Sequence, residues 1–372
     1  MKFYLSLLLT GLSAFAFRGA PAFAYPELIR HGYVNCTACH LSPTGGGALT
    51  AYGRELSGEI LSTWSTEQEK KVADFISEPE WLFLGGDYRS TYYYINNSSY
   101  DEAQTVFMQA DLEAAAQFAQ HWYIDGTIGY SENPHGQGFS DFVISRQHYL
   151  MYRDDLKSGS LSFRAGRFYP AYGINSPNHS LLTRSLLDIH SPEGQGEAYN
   201  VEAAYVGETY NFYLTGILGR PDKVELQREK GLSAVAARSI NDHAKVGLSY
   251  LYGVNDLSSR NVFGPFAMIG FNEKLYLLSE FDFQNRQQDG WGFVTSNRLG
   301  YELFKGFHLV GDQEYGRVSF AQPLDFSEHY GLGVWWWPRP HFEFSLEYQT
   351  RLDRALFSTY YDYAFLLWHV YL

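Results

Sequence analysis

From Trp81 to the last residue, apolar and polar side chains alternate with a period of two. That pattern belongs to strands with one apolar and one polar face. The faces separate most cleanly near the end, where Phe342, Phe344, Leu346 and Tyr348 alternate with Glu343, Ser345, Glu347 and Gln349. Val106, Met108, Ala110, Leu112, Ala114 and Ala116 alternate in the same way with Gln109, Asp111, Glu113 and Gln117. Ala244, Val246, Leu248 and Tyr250 face away from Lys245, Gly247 and Ser249, and Leu275, Leu277, Phe281 and Phe283 away from Glu280, Asp282 and Gln284. Ala364, Leu366, Trp368, Val370 and Leu372 form an unbroken apolar face. Sixteen strands are expected, starting near Phe83, Thr105, Trp122, Phe142, Leu161, Glu197, Tyr210, Leu232, Ala244, Val262, Leu275, Trp291, Phe307, Tyr330, Phe342 and Tyr363.

A soluble sandwich alternates too, so three further features decide the class. The segments run to about ten residues or more, the length of tilted membrane-spanning strands. Aromatic residues cluster at segment ends, as in Tyr92-Tyr93-Tyr94, Trp335-Trp336-Trp337 and Tyr360-Tyr361, like interfacial girdles. The chain also stops inside a strand, at Tyr371-Leu372, as outer-membrane barrels do. The expected fold is all-β: a transmembrane antiparallel β-barrel over residues 81–372, closed because lipid cannot satisfy an open strand edge. Asp87, Arg89, Asp111, Glu113, Glu202, Lys245, Glu280, Asp282, Arg298, Glu302, Glu343 and Glu347 fall on the lumen face. One connection, Pro170 to Gly196, carries Asn178-His179, Arg184, Asp188-Ile189-His190 and Glu193. Its length suits a lid or constriction, or a plain exposed loop.

Residues 1–24 read as a secretory signal, with Lys2, an apolar run from Phe3 to Phe17 and Ala22-Phe23-Ala24 before Tyr25. The run is shorter than the roughly 20 residues of a spanning helix. The formal charge is −13, and −15 without residues 1–24, because that step removes Lys2 and Arg18 and no acid. Nucleic acid is thereby excluded as a main partner, since it needs a basic face. Disorder is excluded by an aromatic content of 17%.

The chain's two cysteines stand together in Cys36-Thr37-Ala38-Cys39-His40. This is the C-x-x-C-H attachment site of a c-type haem. Two thiols add to the two vinyl groups on one porphyrin edge, and the next residue brings its imidazole under the iron. The competing readings are a redox dithiol, a structural disulfide or half a zinc site. A redox pair calls for a thioredoxin-like setting rather than this Gly-rich loop. A disulfide here closes too small a loop to stabilise much, and zinc lacks further ligands nearby apart from His31.

A small α-helical haem domain is expected over residues 25–80, with helices at Thr50–Leu56 and Thr66–Ile76, the second opened by a Thr66/Glu69 capping box. The sixth iron position is open. No Met lies between residues 25 and 80, so a local partner for His40 must be His31, whose competing reading is an exposed loop histidine. Otherwise the ligand comes from the rest of the chain, from a residue such as His179 or His190, or the position stays vacant.

One haem site directly before a porin-like barrel resembles the fused outer-membrane cytochrome–porins, whose best-known members oxidise iron. The resemblance rests on Cys36-x-x-Cys39-His40, then Leu49-Thr50-x-Tyr52-Gly53-Arg54, then the barrel. It implies thioethers on Cys36 and Cys39, His40 as axial ligand, and electron transfer across the outer membrane. It also implies a periplasmic electron carrier such as a soluble cytochrome on one side and an external donor or acceptor on the other. The insertion Ser42-Pro43-Thr44-Gly45-Gly46-Gly47 and the short barrel depart from the iron-oxidising pattern. Ala165 to Pro170 is similar to strand-to-loop segments of phosphate-selective porins. The alternative function is a diffusion porin with a haem plug or sensor, and a redox enzyme with metal-ion oxidation is a third. The acid-rich lumen leads to the expectation of an acidic haem surround, which would lower the potential.

Overall fold

The computed structural model describes residues 25–69, 79–97, 100–130, 143–176, 178, 181–189, 196–221, 223–322, 324–355 and 359–372. The expected signal segment and most of the expected helix at 66–76 lie outside them. No helix among the described residues is long and apolar enough to cross a membrane. Strands dominate instead. Each pairs antiparallel with its sequence neighbours, from β1 (Leu82–Asn97) to β17 (Tyr361–Tyr371). The sheet closes where β17 pairs with β1, from Asp87↔Tyr371 to Asn96↔Asp362.

The short β4 (Val143–Ile144) and β5 (His148–Leu156) both pair with β3 (Trp122–Tyr130) and together take one strand's place. The wall therefore has sixteen staves, as the alternation predicts. Turns at one rim are short, such as 157–158 and 242–243; the long connections, such as that from Phe168 to Ala198, lie at the other rim.

Period two decides what each face meets. All twelve residues assigned to the lumen face are buried, whereas Leu112, Leu248, Leu332 and Leu346 lie exposed on the outer face. One expectation needs correction. Of Trp335, Trp336 and Trp337 on β15 (Ser327–Arg339), Trp336 alone keeps the expected outward place, beside Phe307 and Phe344. Alternation sends Trp335 and Trp337 inward, where both are buried.

These two tryptophans pack on residues 25–64, which enter the lumen and fill the end bearing the short turns. Tyr25, Leu28, Leu49 and Leu61 share one apolar cluster with Val310, Trp335, Trp337 and Tyr371 of the wall. This segment carries the first of the two expected helices as α1 (Ala51–Leu56), while most of the second lies outside the described residues. Its other helical pieces are equally short, at Pro26–His31, Cys36–Ala38 and Ser57–Leu61. A chain that borrows its core from the barrel has no need of long helices of its own. It is a plug.

Leu332 is 75% exposed near the middle of β15. Leu332→Arg should destabilise the barrel by about 2–4 kcal/mol, the cost of a cation near the bilayer midplane. Urea-dependent folding into vesicles measures this, and Leu332→Phe should fold like the parent.

Candidate cofactor site in the barrel lumen

The plug begins with a tight helical turn over Pro26–His31, which ends at Gly32 in the left-handed region (φ 88°). The next turn carries the cysteines. The backbone N–H groups of Cys39 and His40 both donate to the Cys36 carbonyl, at 3.1 and 2.9 Å, which draws the three side chains together. Gly45, Gly46 and Gly47 follow with φ of 79°, 73° and 68°. Three such residues in succession suit glycine and almost nothing else.

That bend returns the chain so that His40 pairs with Leu49, and Thr50 N–H donates to Cys39 O at 2.9 Å. Thr50 caps α1 by accepting from Gly53 N–H at 3.1 Å. Gly53 lies against the Cys39 backbone, where any Cβ would collide. The Leu49-Thr50-x-Tyr52-Gly53-Arg54 stretch is thus a brace for the cysteine turn. The Thr66/Glu69 capping box forms as expected, with Thr66 N–H donating to Glu69 at 2.7 Å.

Wall residues hold the plug by hydrogen bonds on several sides. Lys245 Nζ of β10 (Ala244–Val254) donates to Val34 O at 2.8 Å and to Asn35 Oδ1 at 3.2 Å. Arg164 of β6 (Gly159–Phe168) pairs with Glu202 at 2.7 Å and donates to Ser42 and Thr44 at 3.0 and 2.9 Å. Arg30 meets Glu302 at 3.2 Å, and Tyr25 donates to Glu343 at 2.9 Å. Charged lumen residues that would otherwise face a void gain partners in this way.

The connection after β6 also turns inward. Tyr172 donates to Asp282 at 2.7 Å, Ile174 N–H to Glu280 at 2.8 Å and Leu182 N–H to Glu314 at 3.1 Å. Leu182, Leu187 and Ile189 are buried against Leu251, Val262 and Val294 of the wall. The described residues between 170 and 189 are therefore a lid inside the lumen rather than an exposed loop. Arg184 braces the lid on the Ile174 and Ser176 carbonyls, and Asp188 meets Arg286 at 3.0 Å. His179, His190 and Glu193 lie outside the described residues.

Between plug, lid and wall lies a cavity. The plug side presents Cys36, Cys39 and His40 with Leu28, Leu49 and Leu56; residues 171–175 of the lid close another side. The wall contributes Tyr213, Val235, Ala237, Lys245, Phe266 and Met268. The expectation of an acidic surround is corrected here: Lys245 is the one formally charged residue in the lining, because the lumen acids are turned to Arg, Tyr and backbone partners elsewhere.

Both cysteines are free thiols. Burial pushes the Cys39 thiol up to about 12 and raises that of Cys36 as well. A redox dithiol requires the opposite shift. Among the described residues no group of three His, Cys, Asp or Glu side chains could hold a bare metal ion. Two uncharged thiols and an imidazole on a mainly apolar cavity fit a covalently attached haem.

His31 does not line this cavity. It sits at the end of the first turn, half-buried, where its electrostatic neighbours are Arg30, Glu302, Glu273 and His243. Among the lining residues that sequence reasoning did not single out are Tyr213, Phe266 and Met268, and for the last two a signal exists. In β11 (Ser259–Gly270) the run from Val262 to Ile269 is apolar on both faces, which a strand beside an aqueous lumen is not.

No protein-family model matches the chain, and no curated protein does. Solved structures do match. OprB of Pseudomonas putida aligns with a TM-score of 0.63 at 10% identity, over 84% of this chain and 99% of that one. OmpT of Vibrio cholerae aligns at 0.57 and 10%, over 78% and 99%, in its trimer form. An anion-selective porin from Comamonas acidovorans gives 0.56 and 11%, over 78% and 99%. The chain has a porin fold. At such identities the likeness speaks for the barrel alone.

Glu27 is buried in the first turn of the plug, and burial pushes its carboxyl up to about 7 against the opposing pull of its own backbone N–H and of Arg30. Between its ordinary value and 7, an undocked plug loses the proton that the docked plug keeps. Docking should therefore weaken as pH rises from about 4.5 to about 7, then level off. Limited proteolysis of residues 25–64 at pH 5 and pH 8 reads this. Glu27→Gln should flatten the difference, and an unchanged pH dependence in the variant would refute the assignment.

Proposed function

We propose that this chain is an outer-membrane electron-transfer protein that holds one covalent c-type haem inside its barrel. The observation that carries the reading is the convergence of Cys36, Cys39 and His40 on a mainly apolar cavity enclosed by plug, lid and wall. Bound haem supplies one-electron chemistry, tuned by axial ligand, burial and nearby charge.

The chain's own residues then have separable tasks. Cys36 and Cys39 form the thioethers, and His40 supplies one axial nitrogen. Leu28, Leu49, Val235 and Phe266 keep water from the cavity, which lowers the local dielectric and favours the oxidation state of smaller net charge. Lys245, the lone cation, acts in the same direction. Short turns face the periplasm in barrels of this type. The plug end is then open to a periplasmic carrier such as a soluble cytochrome, and the lid separates the cavity from the outer side. A membrane core about 30 Å thick insulates the two compartments, so a redox centre within the lumen divides the distance an electron must cover.

A barrel of sixteen strands ordinarily leaves an aqueous channel, which supports the diffusion-porin alternative. Against it, plug and lid both occupy the lumen here, and their contacts with the wall are buried.

Protein expressed with the haem-attachment machinery should stain for covalent haem on a denaturing gel and show a c-type spectrum. Cys39→Ala should lose most of the stain, and a colourless parent would end the reading. Proteoliposomes discriminate further: an external donor such as Fe(II) should reduce the haem while small sugars stay excluded. Free permeation that persists in Cys36→Ala would favour the porin.

A further inference from the structure

We propose that Met268, on the barrel wall and lining the same cavity as His40, is the second axial ligand of the haem iron. The inference rests on the haem reading above and adds to it the identity of the distal ligand.

His40 supplies one axial nitrogen from the plug, and a second ligand must come from the other residues that line the cavity. The lining holds no second histidine. Its phenols are already committed: Tyr25 donates to Glu343, Tyr172 to Asp282 and Tyr213 to Pro43 O, while Tyr33 pairs with Tyr52 and Tyr371 with Ser57. Lys245 is spent on Val34 and Asn35. The Asn35 amide donates to Gly207 O, and that of Asn175 donates to Thr44 O. The Met268 thioether remains, and it is a soft, neutral donor of the kind that haem iron accepts opposite histidine.

Register places it well. Met268 is the cross-strand partner of Lys245 in the β10–β11 ladder, and both line the cavity. Lys245 fixes the backbone two residues before Cys36, so Met268 stands beside the point where the haem-bearing turn is tied to the wall. Met268 packs against the apolar cluster of Ala171, Ile174, Val235 and Phe266 and borders the cavity as well. Outside the signal segment the chain has two other methionines. Met151 packs in a core with Tyr149 and Phe168, and Met108 lines a different cavity with Arg89 and Glu343.

One consequence is mechanical. With His40 on the plug and Met268 on the wall, the iron cross-links two parts of the fold that are otherwise joined by hydrogen bonds and packing. Another is electronic, since Met/His ligation raises the potential.

The test uses detergent-purified full-length protein, with covalent haem established first by gel stain. The ferric parent should be low-spin and show the long-wavelength absorption band of thioether-ligated haem. Met268→Leu, chosen to preserve volume, should abolish that band, lower the midpoint potential and speed proteolysis of the plug. Met268→His should restore a low-spin spectrum without the band, and Met108→Leu should change none of these. Stained protein whose parent lacks the band, or whose Met268→Leu variant keeps it, overturns this inference and leaves the haem reading standing. Protein without covalent haem overturns both.

Discussion

Everything in this molecule follows from closing a sheet in lipid. A strand edge exposed to hydrocarbon leaves backbone groups without partners, so the sheet must return on itself, as it does where β17 meets β1. Closure with strict alternation gives an outer face of Leu112, Leu248, Leu332 and Leu346 and an inner face of Asp, Glu, Arg and Lys. The inner face then poses its own problem. Charges crowded in a narrow lumen need partners, and Arg298 shows one local solution, gripping Asp312 through two bonds at 2.6 and 2.7 Å and Glu347 at 3.0 Å.

Plug and lid supply the rest. Each spends backbone N–H groups, hydroxyls and a few charges on charged wall residues, some of them already paired, as Arg164 is with Glu202. Breaking such a pair costs more than the pair itself contributes, because the abandoned charge stays buried. The filling of the lumen is thus held less by any one strong bond than by the penalty for leaving many groups bare. Apolar contact adds direction to this. Trp337 and Tyr371 accept Tyr25 edge-on or tilted, with ring centroids at 5.3 and 5.8 Å, and this seats the first residue of the plug on the wall.

The barrel was legible because its rule is local. Which way Glu343 and Leu346 point depends on parity alone, so strand starts and the lumen set could be read from residue types. The cysteine turn was legible for the same reason, since five consecutive residues carry its chemistry. What could not be read depends on long-range docking. Residues 25–64 have the composition of a small domain, yet their core partners are Val310, Trp335 and Tyr371, roughly three hundred positions away in sequence. After His40, His31 is the histidine nearest the cysteines, but proximity along the chain does not fix direction, and Gly32 turns the backbone just after it. Met268 was hidden in a strand whose two faces are alike, where parity carries no signal.

The same docking constrains how a cofactor could enter. The cavity has no single builder: His40 and the cysteines come from the plug, Val235 and Met268 from the wall, Tyr172 and Ile174 from the lid. It exists only once all three are assembled. Its thiols are by then uncharged and half-buried, hence poor nucleophiles and out of reach of any enzyme. On the proposed reading, thioether bonds must form while residues 25–64 are still extended, before the barrel closes around them. The haem would then be a folding component. The apolar surface it brings would occupy the space that Leu28, Leu49, Phe266 and Val235 line, so that attaching the cofactor and filling the lumen become one event.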